Sequence, residues 1–332
     1  MILPYFWRLL FFCAATFFPV NAIAGLLLRL FIPAAIRVTR RMQPRGAARF
    51  LLGLRLAPAC LATFAVLALC VPSYLSFEPG ATREEVGLAC VFAALLTAVL
   101  LSVSFARGIR SLISTNSYAR KCLNSGIQVQ TPATSFPVNV IDGAVPVIAM
   151  VGAFRPQLIV SRGVLETLSP DELECAIHHE RAHRTSVDNF KRLLLLLAPD
   201  IFPFISRAFV ALDRTWITLS EWAADDSAVA GDPQRSLSLA GALVHVAQMG
   251  AAPRLSPLCT SLLSGESNCI NQDLAARVDR LLRSERACVK TPNRFRGVLT
   301  AGSVAIACAI FVVLLRPDSL HSVHCILEVL TR

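Results

Sequence analysis

The sequence predicts an α+β membrane protein, with four transmembrane helices and, between the third and fourth, a domain in which helices pack around a small sheet. Three observations carry that expectation. The chain of 332 residues is 55% apolar, more than a soluble globular domain of this size carries. Four stretches are long and apolar enough to cross a bilayer. Between the last two lies a polar region with short β-compatible runs and clear helix signals.

Crossing the hydrocarbon core takes about 20 apolar residues in a helix. The stretches at about 9–32, 56–77, 87–106 and 297–315 meet that requirement. The last three carry charge only just outside their edges, at Arg55, Glu78, Arg107 and Arg316, whereas Asn21 and Arg29 interrupt the first. That first stretch has a second reading as a cleaved signal peptide, because Ala22-Ile23-Ala24 has the small-x-small pattern of a processing site. Cleavage there would leave the following Arg-rich segment outside, against the orientation rule.

The formal charge is +10, almost all of it from Arg, since Lys occurs only at Lys121, Lys191 and Lys290. The arginines concentrate at span boundaries, which excludes nucleic acid as the expected partner and favours a protein oriented in the lipid bilayer. Arg37, Arg40, Arg41, Arg45, Arg49 and Arg55 share a segment with no acid, so that loop is expected inside. The next loop holds Glu78, Glu84 and Glu85 against Arg83 and is expected outside. Arg107, Arg110, Arg120 and Lys121 after the third span, and Lys290, Arg294 and Arg296 before the fourth, place the central region inside. The expected layout is a three-helix region at 1–106 with an outside amino terminus, a cytoplasmic domain at 107–296, a fourth span at 297–315 and an extracytoplasmic tail at 316–332. A multi-pass protein of the cell (inner) membrane follows. The 11 cysteines are scattered, form no Cys-x-x-Cys pair and read as small buried apolar residues.

Within the central domain, Val145–Met150 and Gln157–Ser161 are short apolar runs separated by Gly152 and Pro156, which predicts two strands. Ser169, Pro170 and Glu172 form a capping-box start for a helix that should run through a histidine cluster. Further helices are expected at about 215–229 and 237–248. The apolar run 193–212 is broken by Pro199, Asp200, Pro203 and Arg207, so core or membrane-surface packing is expected there in place of a lipid-exposed span.

The cluster reads His179-Glu180-Arg181-Ala182-His183, an HExxH motif. Residues i and i+4 share one helical face, so both imidazoles can reach one ion, and the adjacent Glu180 can act as general base on a bound water. A tetrahedral site needs another protein ligand. The third-histidine solution fails, because Ser186 and Asn189 stand where it needs Gly and His. Glu221 with Asp225 at i+4 on a later helix fits, Glu221 as ligand and Asp225 as acceptor for an imidazole N–H. The competing reading of this pair is a solvated acidic face. Asp226 points about 100° away from that face. His178 is expected to be off the site and His245 to be a core histidine.

The region from about Pro146 to Leu282 resembles the BlaR/MecR-type membrane zinc metallopeptidases, gluzincins related to the HtpX proteases. The resemblance rests on Pro156 to Val160 with Ser161-Arg162-Gly163-Val164-Leu165, then Leu168-Ser169 with Glu172-Leu173, the HExxH helix and Asp188. It continues in Glu221 with Ala224-Asp225 and in Arg277-Val278 with Arg280-Leu281-Leu282. It implies a zincin-like (gluzincin) domain, Zn2+ on His179, His183 and Glu221, Glu180 as base, and Asp225 and Asp188 supporting the ligands. It also implies an edge strand near Gly152 and Ala153 that pairs with an extended protein or peptide substrate. The target in antibiotic-responsive relatives is a transcriptional repressor, so regulated proteolysis in signal transduction is expected. Those relatives continue into an extracellular penicillin-binding domain where this chain has Arg316 to Arg332, so direct β-lactam sensing is not expected, and either a separate sensor protein supplies the signal or the peptidase acts constitutively. The alternatives are an HtpX-like quality-control protease, with spans between the motif and the third ligand, and a non-catalytic signalling scaffold that keeps the zincin fold.

Overall fold

The computed structural model describes residues 5–77, 87–129, 137–143, 145–200, 203–250, 258–262 and 270–283. The expected fourth span and tail lie outside the described residues. Among the described residues three helices are long and apolar enough to cross a membrane. The first is α1 (Tyr5–Thr39). The second is α2 (Pro44–Ala65), which widens into a π-helical turn at Val66–Cys70 and continues as α3 (Val71–Phe77). Pro72 accounts for the widening, because its ring displaces the carbonyl four residues back and it offers no N–H. The third is α4 (Leu88–Ser125). Thr97 Oγ1 donates to Ala14 O at 2.6 Å and Tyr74 Oη to Tyr5 O at 3.1 Å, tying α4 and α3 to α1.

All three outrun the stretches expected from hydropathy. Helix α4 continues without a break past residue 106, and its last turns lie under the sheet that follows. That sheet contains β1 (Ile127–Val129), β2 (Val138–Ile141), β3 (Ile148–Val151), β4 (Gln157–Ser161) and β5 (Cys259–Ser261) in the order β1-β2-β4-β3-β5. The β2–β4 pair is parallel and the other described pairs are antiparallel. The two strands expected from sequence are β3 and β4. The others were missed because β1 and β5 have three residues and β2 four, too short for alternation to stand out.

The remaining described helices are α5 (Arg162–Thr167), α6 (Pro170–Ser186), α7 (Asp188–Leu197), α8 (Pro203–Val229), α9 (Pro233–Gln248) and α10 (Ile270–Arg283). Helix α6 opens with the full capping box, Ser169 Oγ accepting from Glu172 N and Glu172 Oε2 accepting from Ser169 N. Alternation along the strands divides the core. Ile148, Met150, Leu158, Val160 and Leu262 pack with Cys175 and Ile177 of α6 and Leu239 and Leu243 of α9. Ala149, Val151, Ile159 and Cys259 pack against Cys122 of α4.

The described side chains of the broken apolar run, in 193–200 and 207–212, form the junction between the long helices and this domain. Leu195 of α7 and Phe209 and Leu212 of α8, with Trp216 and Leu219, bury against Leu28, Ile32 and Ala35 of α1 and Ala47, Ala48 and Leu51 of α2. Helices α4 and α7 approach closely at Gly108, where a Cβ would lie 2.6 Å from Leu197 Cδ2. Charges reinforce the apolar contact. Buried Arg55 donates from Nε to Asp213 at 3.0 Å and from Nη2 to Asp200 at 2.6 Å, while Arg107 reaches Asp200 at 2.9 Å and Ala198 O at 3.1 Å. Two arginines read from sequence as boundary charges therefore also bind the domain. Cys70, Cys90, Cys122, Cys175 and Cys259 are buried, as expected of them, but Cys60 is exposed.

Candidate metal site

Helix α6 presents His179 and His183 one turn apart, both buried, and α8 brings Glu221 and Asp225 onto them. The small residues Ala224 and Ala228 line the same stretch of α8 and are buried. Nε2 of His183 lies 3.2 Å from Nε2 of His179, and Glu221 Oε2 lies 3.4 Å from the latter and 3.6 Å from the former. Ligand atoms about 2.0–2.1 Å from a tetrahedral ion stand about 3.3–3.4 Å apart, so the three edges match. The other ring nitrogens face carboxylates. His179 Nδ1 is 2.9 Å from Asp225 Oδ1, and His183 Nδ1 is 2.8 Å from Asp188 Oδ2.

This second set of contacts decides what the cluster suits. Each neutral ring places its N–H on Nδ1 toward a carboxylate, which leaves both Nε2 lone pairs turned toward one another and toward Glu221. Both oxygens of Glu221 are buried and accept no hydrogen bond. Converging lone pairs that accept no hydrogen bond are what a cation satisfies, and His179, His183 and Glu221 are able to hold a metal ion.

Glu180, fully buried, accepts from Met150 N on β3 through Oε2 at 3.0 Å, and its Oε1 has no partner. Burial pushes its carboxyl up to about 7, against the pull of both imidazoles. Burial lowers His183, but the Glu221 carboxylate and the hydrogen bond to Asp188 outweigh it and raise it to about 10. His179 is raised in the same way by Asp225 and Glu221. Against burial, which raises them, the Asp225 carboxyl is held down at about 2 by Arg277 and His179, and Glu221 well below its ordinary value by His183 and His179.

Three partners in this cluster were not foreseen. Arg277 of α10 donates Nε and Nη2 to the two oxygens of Asp225 and Nη1 to Leu262 O at 2.7 Å. Asn189 donates to Met150 O and Gly152 O, both at 2.9 Å, and so holds the end of β3. Arg192 of α7 reaches β5. The pattern Arg277-Val278 was visible in the sequence, but nothing in it specified which carboxylate the guanidinium grips.

Other expectations are corrected. Gly152 and Ala153 do not border a free sheet edge: β5 pairs with β3 from Ala149 to Val151, and Gly152 N donates to Leu258 O at 3.4 Å. The three-residue β5 gave no strand signal, so the edge looked open. His245 is no core residue; its side chain is 46% exposed and Nδ1 lies 3.0 Å from Glu172 Oε1. An apolar helix with one polar side suffices for that placement. His178 sits off the site, 3.6 Å from Glu174, and Asp226 turns away to Arg280, both as expected. No protein-family model matches the chain, and no curated protein matches its sequence.

Proposed function

We propose that the chain is an integral-membrane zinc metalloendopeptidase of the BlaR/MecR type, with its domain cytoplasmic and its amino terminus outside, acting in regulatory proteolysis on a substrate such as a transcriptional repressor. The observation that carries this reading is the pairing of a metal-competent triad with Glu180. Its carboxylate is buried beside the ligands, fixed through one oxygen and unpartnered at the other. Zinc, the ion that two imidazoles and one carboxylate suit best, would supply Lewis acidity toward a peptide carbonyl and toward water. Glu180 takes the proton of the attacking water and passes it to the leaving amine. Asp225 and Asp188 fix the ring tautomers, and Arg277 fixes Asp225.

The layout favours this reading over the HtpX-like one. Helix α7 has 10 residues, about 15 Å of helix and half a bilayer, and Phe209 and Leu212 of α8 pack on α1 and α2. The test is zinc per chain in detergent-purified protein. About one zinc in the wild type, lost in His183→Ala and Glu221→Ala and kept in Glu180→Gln, is expected, with Glu180→Gln trapping uncut substrate. Zinc missing from folded wild type would favour the scaffold reading.

A further inference from the structure

Two arginines flank Glu221, Arg277 buried and Arg192 with 13% of its side chain exposed, and they are used differently. All three donor nitrogens of Arg277 are engaged, two on Asp225 and one on Leu262 O, so its role is to hold the site together. Arg192 is anchored through one nitrogen, Nη1 donating to Cys259 O of β5 at 3.1 Å. Its Nη2 stops 3.7 Å from Glu221 Oε1, beyond hydrogen-bond reach. Both Nε and Nη2 are buried and have no acceptor. Burying guanidinium donors unpaired is costly, so such a residue persists where an acceptor arrives from outside.

The next residue on the same strand repeats the pattern. Thr260 pairs with Met150, whose N–H holds Glu180, and its hydroxyl is buried without a partner. Donors without partners thus lie on α7 and on β5, two elements that touch one another and the helix of the two histidines.

We propose that Arg192 binds the carbonyl oxygen of the scissile peptide bond through Nε and Nη2 and stabilises the negative charge that develops there. The water oxygen bonds to the carbonyl carbon, its proton passes to Glu180, and the electron pair moves onto the oxygen held by Arg192. The pair then returns as the C–N bond breaks and Glu180 delivers the proton to the amine. This inference rests on the peptidase reading, and its test is chosen to separate the two.

The full chain, purified in detergent and loaded with zinc, is assayed for hydrolysis of fluorescein-labelled casein and for binding of a phosphinic peptide, whose tetrahedral phosphorus and anionic oxygens resemble the charged carbonyl. Arg192→Gln is expected to lower kcat about 10²–10³-fold with KM within about threefold. Zinc should stay at wild-type stoichiometry, phosphinate affinity should fall in parallel, and Arg192→Lys should recover part of both. An unchanged kcat, or loss of zinc together with rate, would overturn the proposal, the latter making Arg192 a positioning residue for Glu221. Should Arg192→Gln fail to fold, Arg192→Lys decides, with kcat about tenfold down at unchanged zinc supporting the proposal and wild-type kcat refuting it. If zinc-loaded wild type cuts no casein, the peptidase reading is what suffers. Phosphinate binding then still decides Arg192: weaker binding by Arg192→Gln upholds it, and equal or absent binding in both refutes it.

Discussion

Arg277 grips Asp225 with two parallel hydrogen bonds, 2.9 and 2.6 Å long, and Asp225 in turn faces Nδ1 of His179. A planar fork on a carboxylate fixes orientation as well as charge, so the orientation of one imidazole is set from a helix 52 residues further along the chain. Asp225→Asn should weaken zinc affinity about 10–100-fold while leaving the protein folded. Arg277→Met strands a buried carboxylate and should cost about 3–5 kcal/mol of stability. Competition with a chelator measures the first and denaturant unfolding the second; an unaltered zinc affinity in Asp225→Asn would remove Asp225 from the site's machinery.

Acid–base behaviour should differ between the metal-free and metal-loaded protein. Without metal, His183 titrates near 10, above its unfolded value, so the stabilisation that its proton brings is complete below about 6.5 and is lost as pH rises toward 10. Glu180, raised to about 7 by burial, acts in the same direction between about 4.5 and 7. Metal binding requires both imidazoles unprotonated and so strengthens as pH rises. Thermal unfolding of chelator-treated protein should therefore show a midpoint falling from pH 6 to 9 while the stabilisation added by zinc grows. A metal-free midpoint that climbs over this range would contradict the proton placement.

Much of this site was legible in the sequence because its spacing rules are local. His179 and His183 share a helical face by periodicity alone, Ser169 and Glu172 announce the helix start, and Glu221 with Asp225 repeat the i, i+4 logic on the next suitable helix. What escaped depends on distant pairing. No local rule brings a three-residue strand at Cys259–Ser261 against β3, turns Asn189 onto two carbonyls of β3, or brings Asp200 and Asp213 to Arg55. The arginines at span edges were read through the bilayer alone, although a guanidinium near a boundary also serves as a partner for whatever packs there.

The contact between Arg55 and Asp213 joins a membrane-spanning candidate to the helix that carries Glu221 eight residues later. Arg55 also covers the Phe209 ring, 4.5 Å from its centroid. Asp213 is 29% exposed and Asp200 15%, so solvent screens part of the pairing, and Arg55→Leu should cost about 2 kcal/mol, less than a fully buried pair. A double-mutant cycle with Asp213→Asn should return a coupling of about 1 kcal/mol. Additive effects would show that the two charges stabilise the junction independently.

Val187 separates α6 from α7 in the left-handed conformation, with φ 53° and ψ 40°. A β-branched residue strains there at a cost of about 1–3 kcal/mol. The turn it makes lets α7 begin at Asp188, whose carboxylate thereby reaches His183 Nδ1 five residues after that histidine. The side chain is half exposed, so its apolar burial offsets little of the strain. Asn tolerates this conformation, and Val187→Asn should raise the thermal midpoint of the metal-free chain by about 2–4 °C. Proline cannot adopt a positive φ, so Val187→Pro should pull Asp188 from His183 and lower zinc affinity as Asp188→Ala does. Calorimetry of Val187→Asn and zinc titration of Val187→Pro check the two halves separately, and a lowered midpoint in the first would mean that the turn carries no strain to relieve.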